Sequence, residues 1–151
     1  MSRKDIPIFK IRERFRIILS LREKPHHIAA SFSVGVFIGM SPLLGLHTVL
    51  GLIVSSVFRL NRVVTIIGVY ITNPWTIIPI YTFSTWAGMK LLGVSGIVTN
   101  IQWEYISIAN VVLQLKELLI PFIVGTFFIG TISCILGYLA IYFLLRKKQD
   151  A

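Results

Sequence analysis

Three long stretches of this chain contain no Asp, Glu, Lys or Arg. They run from Pro25 to Phe58, from Val63 to Met89 and from Leu118 to Leu145. Each is longer than the roughly 18 apolar residues that indicate a membrane-embedded segment. Only 14% of the whole chain is charged, whereas a soluble domain has about 25%. Because so few charges remain to cover a soluble surface, the sequence predicts an integral membrane protein.

Proline interrupts the first two stretches. Ser41 and Pro42 divide the first, and Asn73 and Pro74 divide the second, 32 residues further on, as in a weak internal repeat. Each side of the first break has about 13 residues, or ~20 Å of helix, which is too short for a hydrocarbon core of about 30 Å. We therefore expect a re-entrant hairpin that enters and leaves on one side. A single kinked, tilted span is the alternative.

The remaining segments complete an all-α, polytopic prediction, which divides the chain into five parts. We expect a basic amphipathic segment on the cytoplasmic membrane surface at 1–24 (or a frayed basic tail), and a membrane domain of two Pro-broken, hairpin-like units at 25–93. An interfacial amphipathic helix at 94–117, a transmembrane helix at 118–145 and a basic cytoplasmic tail at 146–151 follow.

The basic residues favour one topology. If the first stretch re-enters, the second crosses and the last crosses back, 13 of the 15 Lys and Arg residues lie inside and 2 outside. Three plain spans leave 10 inside, and a model in which both broken stretches re-enter leaves 12. The positive-inside rule therefore favours the first model, by a thin margin over the third, with a cytoplasmic N-terminus.

Basic residues also predict the partners of the chain. They flank the apolar stretches and are not interleaved with aromatic residues on one face, which argues against nucleic acid. Anionic lipids of the bilayer are the expected partner. The candidate contacts for lipid head groups are Arg14, Arg16, Arg59 and Arg62. Snorkelling at helix ends is the alternative for Arg59 and Arg62, and Asn61 between them is expected to cap a helix or form a turn.

The two breaks are the best candidates for a ligand site. Ser and Asn are favoured N-caps and Pro is favoured at the first helical position, so each pair predicts the start of a half-helix within the bilayer. Such a start attracts anions. The candidate ligand-binding residues are Ser41, Pro42, His47, Asn73, Pro74 and Thr76. The structural alternative is a pair of kinks whose backbone groups are satisfied by neighbouring helices and side chains.

Nothing in the sequence predicts an enzyme. All six acidic residues lie outside the apolar stretches, and no nucleophile elbow, phosphate loop or zinc motif is present. Cys134 is the single cysteine, so we expect neither a disulfide framework nor a metal or other cofactor. His26 and His27 lie at the start of the first apolar stretch, and we expect no carboxylate partner for them.

Several of these residues carry a family resemblance. The combination Gly-x-Phe-Ile-Gly-x-x-Pro at 35–42 and Asn-Pro-x-Thr-x-x-Pro at 73–79 is fairly specific. Over roughly 20–93, the chain resembles a bacterial membrane family catalogued as domain of unknown function 2062. The matching positions also include Pro25, Ala29, Phe32, Thr48, Asn61, Tyr81 and Gly88. The resemblance implies a prokaryotic membrane protein and supplies no activity, cofactor or catalytic residue. We expect the bacterial inner membrane as its location.

Two functional hypotheses remain. The first is a non-enzymatic membrane scaffold or accessory subunit, whose small-residue seams pack against another membrane protein or a second copy of the chain. Ser31, Gly35 and Gly39 form one such seam, and Thr126 to Gly137 another. The alternative is a small transporter, or a protein that binds an anion or lipid phosphate at the half-helix starts.

Overall fold

The computed structural model of the chain describes residues 23–43, 45–72, 74–94 and 108–149. All regular secondary structure in these ranges is helical, which confirms the all-α prediction. The helices are α1 (Pro25–Met40), α2 (His47–Val57), α3 (Arg62–Val69), α4 (Pro74–Leu92) and α5 (Ile108–Gln149).

Both predicted interruptions are present. The first apolar stretch is divided into α1 and α2, and the second into α3 and α4. Proline opens two of these helices, at Pro25 and Pro74, where its fixed φ and missing N–H cost nothing. Asn61 caps α3, since its side-chain oxygen accepts a hydrogen bond from the Val64 N–H at 3.1 Å. The cap or turn predicted for Asn61 is therefore confirmed.

Helices α1 and α2 form a hairpin. The ring Nε2 of His27, at the start of α1, lies 3.0 Å from the carbonyl oxygen of Arg59, just beyond the end of α2. The Asn61 N–H also donates to Ser31 Oγ at 2.9 Å. Helix α2 therefore returns the chain to the level at which α1 begins.

Helix α3 then runs beside α1 in the same direction. Its close approach depends on glycine at both sides of the contact, because a Cβ at Gly35 would overlap the backbone of Thr65, and one at Gly68 would overlap the backbone of Phe32. A second contact of this kind joins α4 to α5, where Gly88 and Gly125 face each other's backbones. Of the predicted small-residue seams, Gly35 and Gly39 lie against α3 and the residues that follow it, and Gly130 and Gly137 on α5 lie against side chains of α1.

Helix α5 is the longest of these helices, and both α1 and α4 pack against it. Its 42 residues extend over about 63 Å at the usual helical rise. Helix α4 packs on its earlier part, where the Tyr81 and Phe122 rings are 5.0 Å apart. Helix α1 packs on its later part, where the Phe37 and Phe127 rings are 5.8 Å apart. The main apolar core joins α1, α3 and α5 through Ile28, Ala29, Phe32, Val36, Val64, Ile141 and Leu145.

Helix α5 runs without interruption across the predicted boundary between 117 and 118, and it continues to Gln149 in the predicted basic tail. Pro121 lies inside it. The predictions for residues 1–22 and 95–107 lie outside the described residues, and the five-part division of the chain stays a prediction.

In the part of the chain that the structure describes, α5 is the one helix long and apolar enough to cross a membrane. The stretch Glu117–Lys147 has 31 residues and a mean hydropathy of 2.3, and 22% of its most apolar window is buried in the fold. Its large apolar side chains, such as Phe128, Leu136 and Phe143, are exposed. Helix α2 is a shorter apolar helix that also exposes Val49, Leu52 and Ile53.

Candidate functional site

The chain at Ser41 and Pro42 forms a turn between helices. Ser41 closes α1, with its hydroxyl and its backbone N–H both donating to the Ile38 carbonyl, at 2.7 and 3.1 Å. Helix α2 begins only at His47. The prediction that Ser41 and Pro42 start a half-helix is therefore wrong. The reason is Gly45, whose φ of 86° cannot continue a right-handed helix.

The second break matches its prediction more closely. Helix α4 begins at Pro74, while Asn73 lies outside the described residues. The Thr76 hydroxyl donates to the Ile71 carbonyl at 3.3 Å, so it connects the first turn of α4 to the segment that follows α3. A ligand role for Asn73, Pro74 and Thr76 stays a prediction.

The two breaks lie side by side and are joined by hydroxyl groups. The Thr72 hydroxyl lies 2.8 Å from the Gly39 carbonyl oxygen and 3.0 Å from the Val69 carbonyl oxygen, so its one hydrogen is shared between the two acceptors. The Tyr81 hydroxyl donates to the Ser41 carbonyl at 2.9 Å. Carbonyl groups at the end of α1 that lack a helical partner are thereby satisfied. These contacts match the structural alternative for the breaks. Sequence spacing did not identify these two donors, because Thr72 is 33 residues from its acceptor and Tyr81 is 40 residues from its own.

His47 is the first residue of α2, six residues after Ser41. Its ring is edge-on to that of Tyr70, with 6.4 Å between the ring centres. The neighbouring Thr48 hydroxyl is 3.3 Å from the Tyr70 hydroxyl. These contacts place the start of α2 against the end of α3. Among the described residues, no group of three or more His, Cys, Asp or Glu side chains could hold a metal ion.

A polar network occupies the opposite end of the α1–α2 hairpin. The His27 Nδ1 lies 2.7 Å from Glu23 Oε2, and the Asn61 amide donates to Glu23 Oε1 at 2.7 Å. Ser31 continues the network, since it accepts from the Asn61 N–H and donates to the His27 carbonyl at 2.7 Å. The expectation that His27 has no carboxylate partner is wrong. Glu23 precedes it by four residues, one helical turn, so sequence spacing contained the signal.

Hydrogen bonding shifts the pKa of both ionisable members of this network, which lie outside the candidate membrane-spanning stretch. The hydrogen bond from His27, then that from Asn61, lowers the pKa of Glu23 below its ordinary value. The hydrogen bond to Glu23, then that to the Arg59 carbonyl, raises the pKa of His27. Both side chains are partly exposed, so solvent screens their charges and the pair alone contributes little to stability.

Basic side chains surround this network. Arg59 precedes Asn61 in the connector between α2 and α3, Arg62 is the first residue of α3, and both are exposed. Arg146 and Lys147 are exposed on α5 directly after Leu145, which packs in the same core as Ile28. We call these four residues the basic end. Arg14 and Arg16 lie outside the described residues, and lipid contacts of all these arginines stay predictions.

In the residues that the structure describes, the fold is all-helical, with one candidate membrane-spanning helix and a basic end. The family described as "Uncharacterized protein conserved in bacteria (DUF2062)" matches residues 10–151, and the chain belongs to this family. The resemblance predicted from the motifs at 35–42 and 73–79 is confirmed, and the match extends through the last helix. No curated protein and no solved structure matches the chain.

Proposed function

We propose that this protein is a multi-pass protein of the bacterial inner membrane that performs no catalysis and acts as a scaffold or accessory subunit. The observation that carries the proposal is the exposure of α5, since 22% of the most apolar window of its 31-residue apolar stretch is buried. A core helix of a soluble protein would be mostly buried. The exposed apolar side chains of α5 require lipid or an apolar partner.

The direction of the helices supports a specific topology. The α1–α2 hairpin enters and leaves on the cytoplasmic side, because its two ends meet at His27 and Arg59. Helices α3 and α4 together form a broken crossing, and α5 crosses back. The basic end then faces the cytoplasm, while Lys90, in the last turn of α4, lies toward the other side. This arrangement agrees with the positive-inside rule.

Anionic lipids are the partners proposed for the basic end. Arg59, Arg62, Arg146 and Lys147 come from three parts of the fold and are all exposed. Next to an apolar helix such as α5, exposed guanidinium and ammonium groups lie at the depth of phosphate head groups. The proposed contacts fix the depth of the fold in the bilayer and need no binding pocket.

The closure of the two breaks supports a scaffold over a transporter. The Gly39 and Ser41 carbonyls accept hydrogen bonds from Thr72 and Tyr81, so these two groups at the breaks are occupied by the protein itself. The small-residue contacts at Gly35 and Gly88 are also used within the chain. The exposed apolar faces of α2 and α5 therefore remain for a neighbouring membrane protein or a second copy.

Native mass spectrometry tests this function. The full chain would be extracted from its own membranes in a mild detergent and compared with the same sample in a denaturing one, which gives the 17.1 kDa chain. We expect a reproducible complex of fixed stoichiometry, with another membrane protein or with further copies. A chain that is found alone in repeated extractions, carrying lipid only, would contradict the scaffold function.

A further inference from the structure

Both ring nitrogens of His27 face groups that accept hydrogen bonds. Nδ1 is 2.7 Å from the Glu23 carboxylate and Nε2 is 3.0 Å from the Arg59 carbonyl oxygen. The Asn61 Oδ1 accepts from Val64, so its amide nitrogen donates to Glu23 Oε1, and the Glu23 carboxyl is ionised beside the ring because a carboxylic acid is more acidic than an imidazolium. A neutral imidazole has one donor and one acceptor nitrogen, whereas the imidazolium has two donors. The geometry therefore requires a protonated His27.

This ring joins three segments of the chain. Glu23 precedes α1, His27 belongs to its first turns, and Arg59 lies in the connector after α2. Helix α2 has little else to hold it, since only Gly51 and Ser55 are buried among its residues. A contact of Thr48 with Tyr70 holds its opposite end. At its C-terminal end the Asn61 N–H bonds Ser31 on α1 two residues after Arg59, and the bond from His27 to Arg59 is the attachment nearest to the end of α2.

We propose that protonated His27 is a pH-sensitive clamp that holds the C-terminal end of α2 against the start of α1, and that loss of its proton releases this end. The neutral ring keeps the bond to the Glu23 carboxylate, which is the stronger acceptor. Its Nε2 then presents a lone pair to the Arg59 carbonyl oxygen, so an attraction becomes a repulsion. The clamp does not depend on the scaffold function.

The other titratable and charged groups at this end do not replace Glu23. They are Lys24 beside it, His26 and its hydrogen-bond partner Tyr138 on α5, Arg59 and Arg62 in the connector region, and Tyr142, Arg146 and Lys147 on α5. All of the permanently charged groups among them are cationic. Glu23 is therefore the carboxylate that stabilises the imidazolium in the described part of this end.

The direction of the pH effect follows from the two shifted pKa values. The pKa of His27 is raised above 6.5 in the fold, so its contribution is complete below pH 6.5 and is lost as the pH rises through the raised value. The pKa of Glu23 is lowered below 4.5, so its contribution is complete above pH 4.5 and is lost as the pH falls through the lowered value. The clamp is therefore closed between pH 4.5 and pH 6.5, and it opens as the pH rises through the raised pKa of His27.

Thiol accessibility measures the opening. On a Cys134→Ser background, Ser55→Cys places a thiol at a fully buried position of α2, and Ser56→Cys places one at the exposed neighbouring position. The full chain in detergent micelles is labelled with a small maleimide from about pH 6 to about pH 9, a range that brackets histidine titration. Because both thiols ionise with pH, the ratio of the two labelling rates reports the accessibility of position 55.

We expect this ratio to rise at least about tenfold with pH, the factor that corresponds to a lost hydrogen bond from a charged group. His27→Gln should give a high ratio at every pH, and His27→Arg, which keeps two donors and a charge, a low one. His26→Gln is the matched control, since His26 bonds Tyr138 instead, and it should keep the wild-type profile. A flat profile in the unmutated chain, or an unchanged profile in His27→Gln, would overturn the clamp.

Discussion

Arg59 has a backbone conformation that glycine usually supplies. Its φ is 53°, and it follows α2 at the position where a left-handed residue ends a helix. The Leu60 N–H donates to the Ser55 carbonyl at 2.8 Å, the hydrogen bond typical of that ending. A side chain in this region costs about 1–2 kcal/mol. An arginine kept at such a strained position supports a role for its head group at the basic end.

The strained backbone of Arg59 predicts that glycine at this position stabilises the fold. Arg59→Gly should raise the free energy of unfolding by about 0.5–1 kcal/mol, because the relief of strain exceeds the extra entropy of glycine in the unfolded chain. Arg59→Ala is the control, since it removes the same side chain but keeps the Cβ. Reversible chemical unfolding in detergent micelles measures both. Equal stabilities of the two variants would show that the left-handed backbone carries no cost here.

Local signals predicted part of the residue-level structure. The cap at Asn61 and the helix start at Pro74 follow from preferences of single residues, whereas the same kind of preference was wrong at Ser41 and Pro42. The pairing of Glu23 with His27 was available from their spacing of four but was not predicted. The conformation of Arg59 and the long-range donors Thr72 and Tyr81 could not be predicted. They depend on how separate helices meet, which one sequence does not contain.

At the scale of elements, the two breaks form one junction. Proline and glycine showed where α1 and α3 end, because both residues oppose helix continuation. They did not show where α2 begins, since the left-handed turn at Gly45 moved its start to His47. The junction is held by the bond from the buried Thr72 hydroxyl to the Gly39 carbonyl, at 2.8 Å.

Thr72→Val tests that bond at nearly constant side-chain volume. It should lower the free energy of unfolding by about 1–3 kcal/mol, because it removes the donor and leaves the buried Gly39 carbonyl without it. Thr82→Val is the matched control: that hydroxyl is exposed and bonds only the Ile78 carbonyl of its own helix, so a change within about 0.5 kcal/mol is expected. Similar losses in both variants would mean that the bond between the breaks does not stabilise the junction.

At the scale of the whole molecule, the order of the helices was predictable and their lengths were not. Charge-free stretches and proline positions indicated two broken units and a long final helix. The extension of α5 back to Ile108 was not predicted, because the amphipathic pattern of 100–117 suggested a separate helix. Helices α4 and α1 pack one after the other along α5. The residues 84–88 of α4 contact the earlier part of α5, and the residues 32–37 of α1 contact its later part.

The proposed membrane topology can be tested by labelling single cysteines from each side of the membrane. Single cysteines on a Cys134→Ser background would be labelled from each side of sealed membrane vesicles. Ser2→Cys, Ser56→Cys, Leu91→Cys and Gln149→Cys leave every charged residue in place, so the distribution of Lys and Arg that orients the protein is unchanged. We expect positions 2, 56 and 149 to react from the cytoplasmic side and position 91 from the other. If 56 reacts opposite to 2, the first stretch is a single kinked span and the re-entrant hairpin is wrong. If position 91 is labelled from the same side as positions 2 and 56, the α3–α4 segment also returns to that side, and α5 alone crosses the membrane.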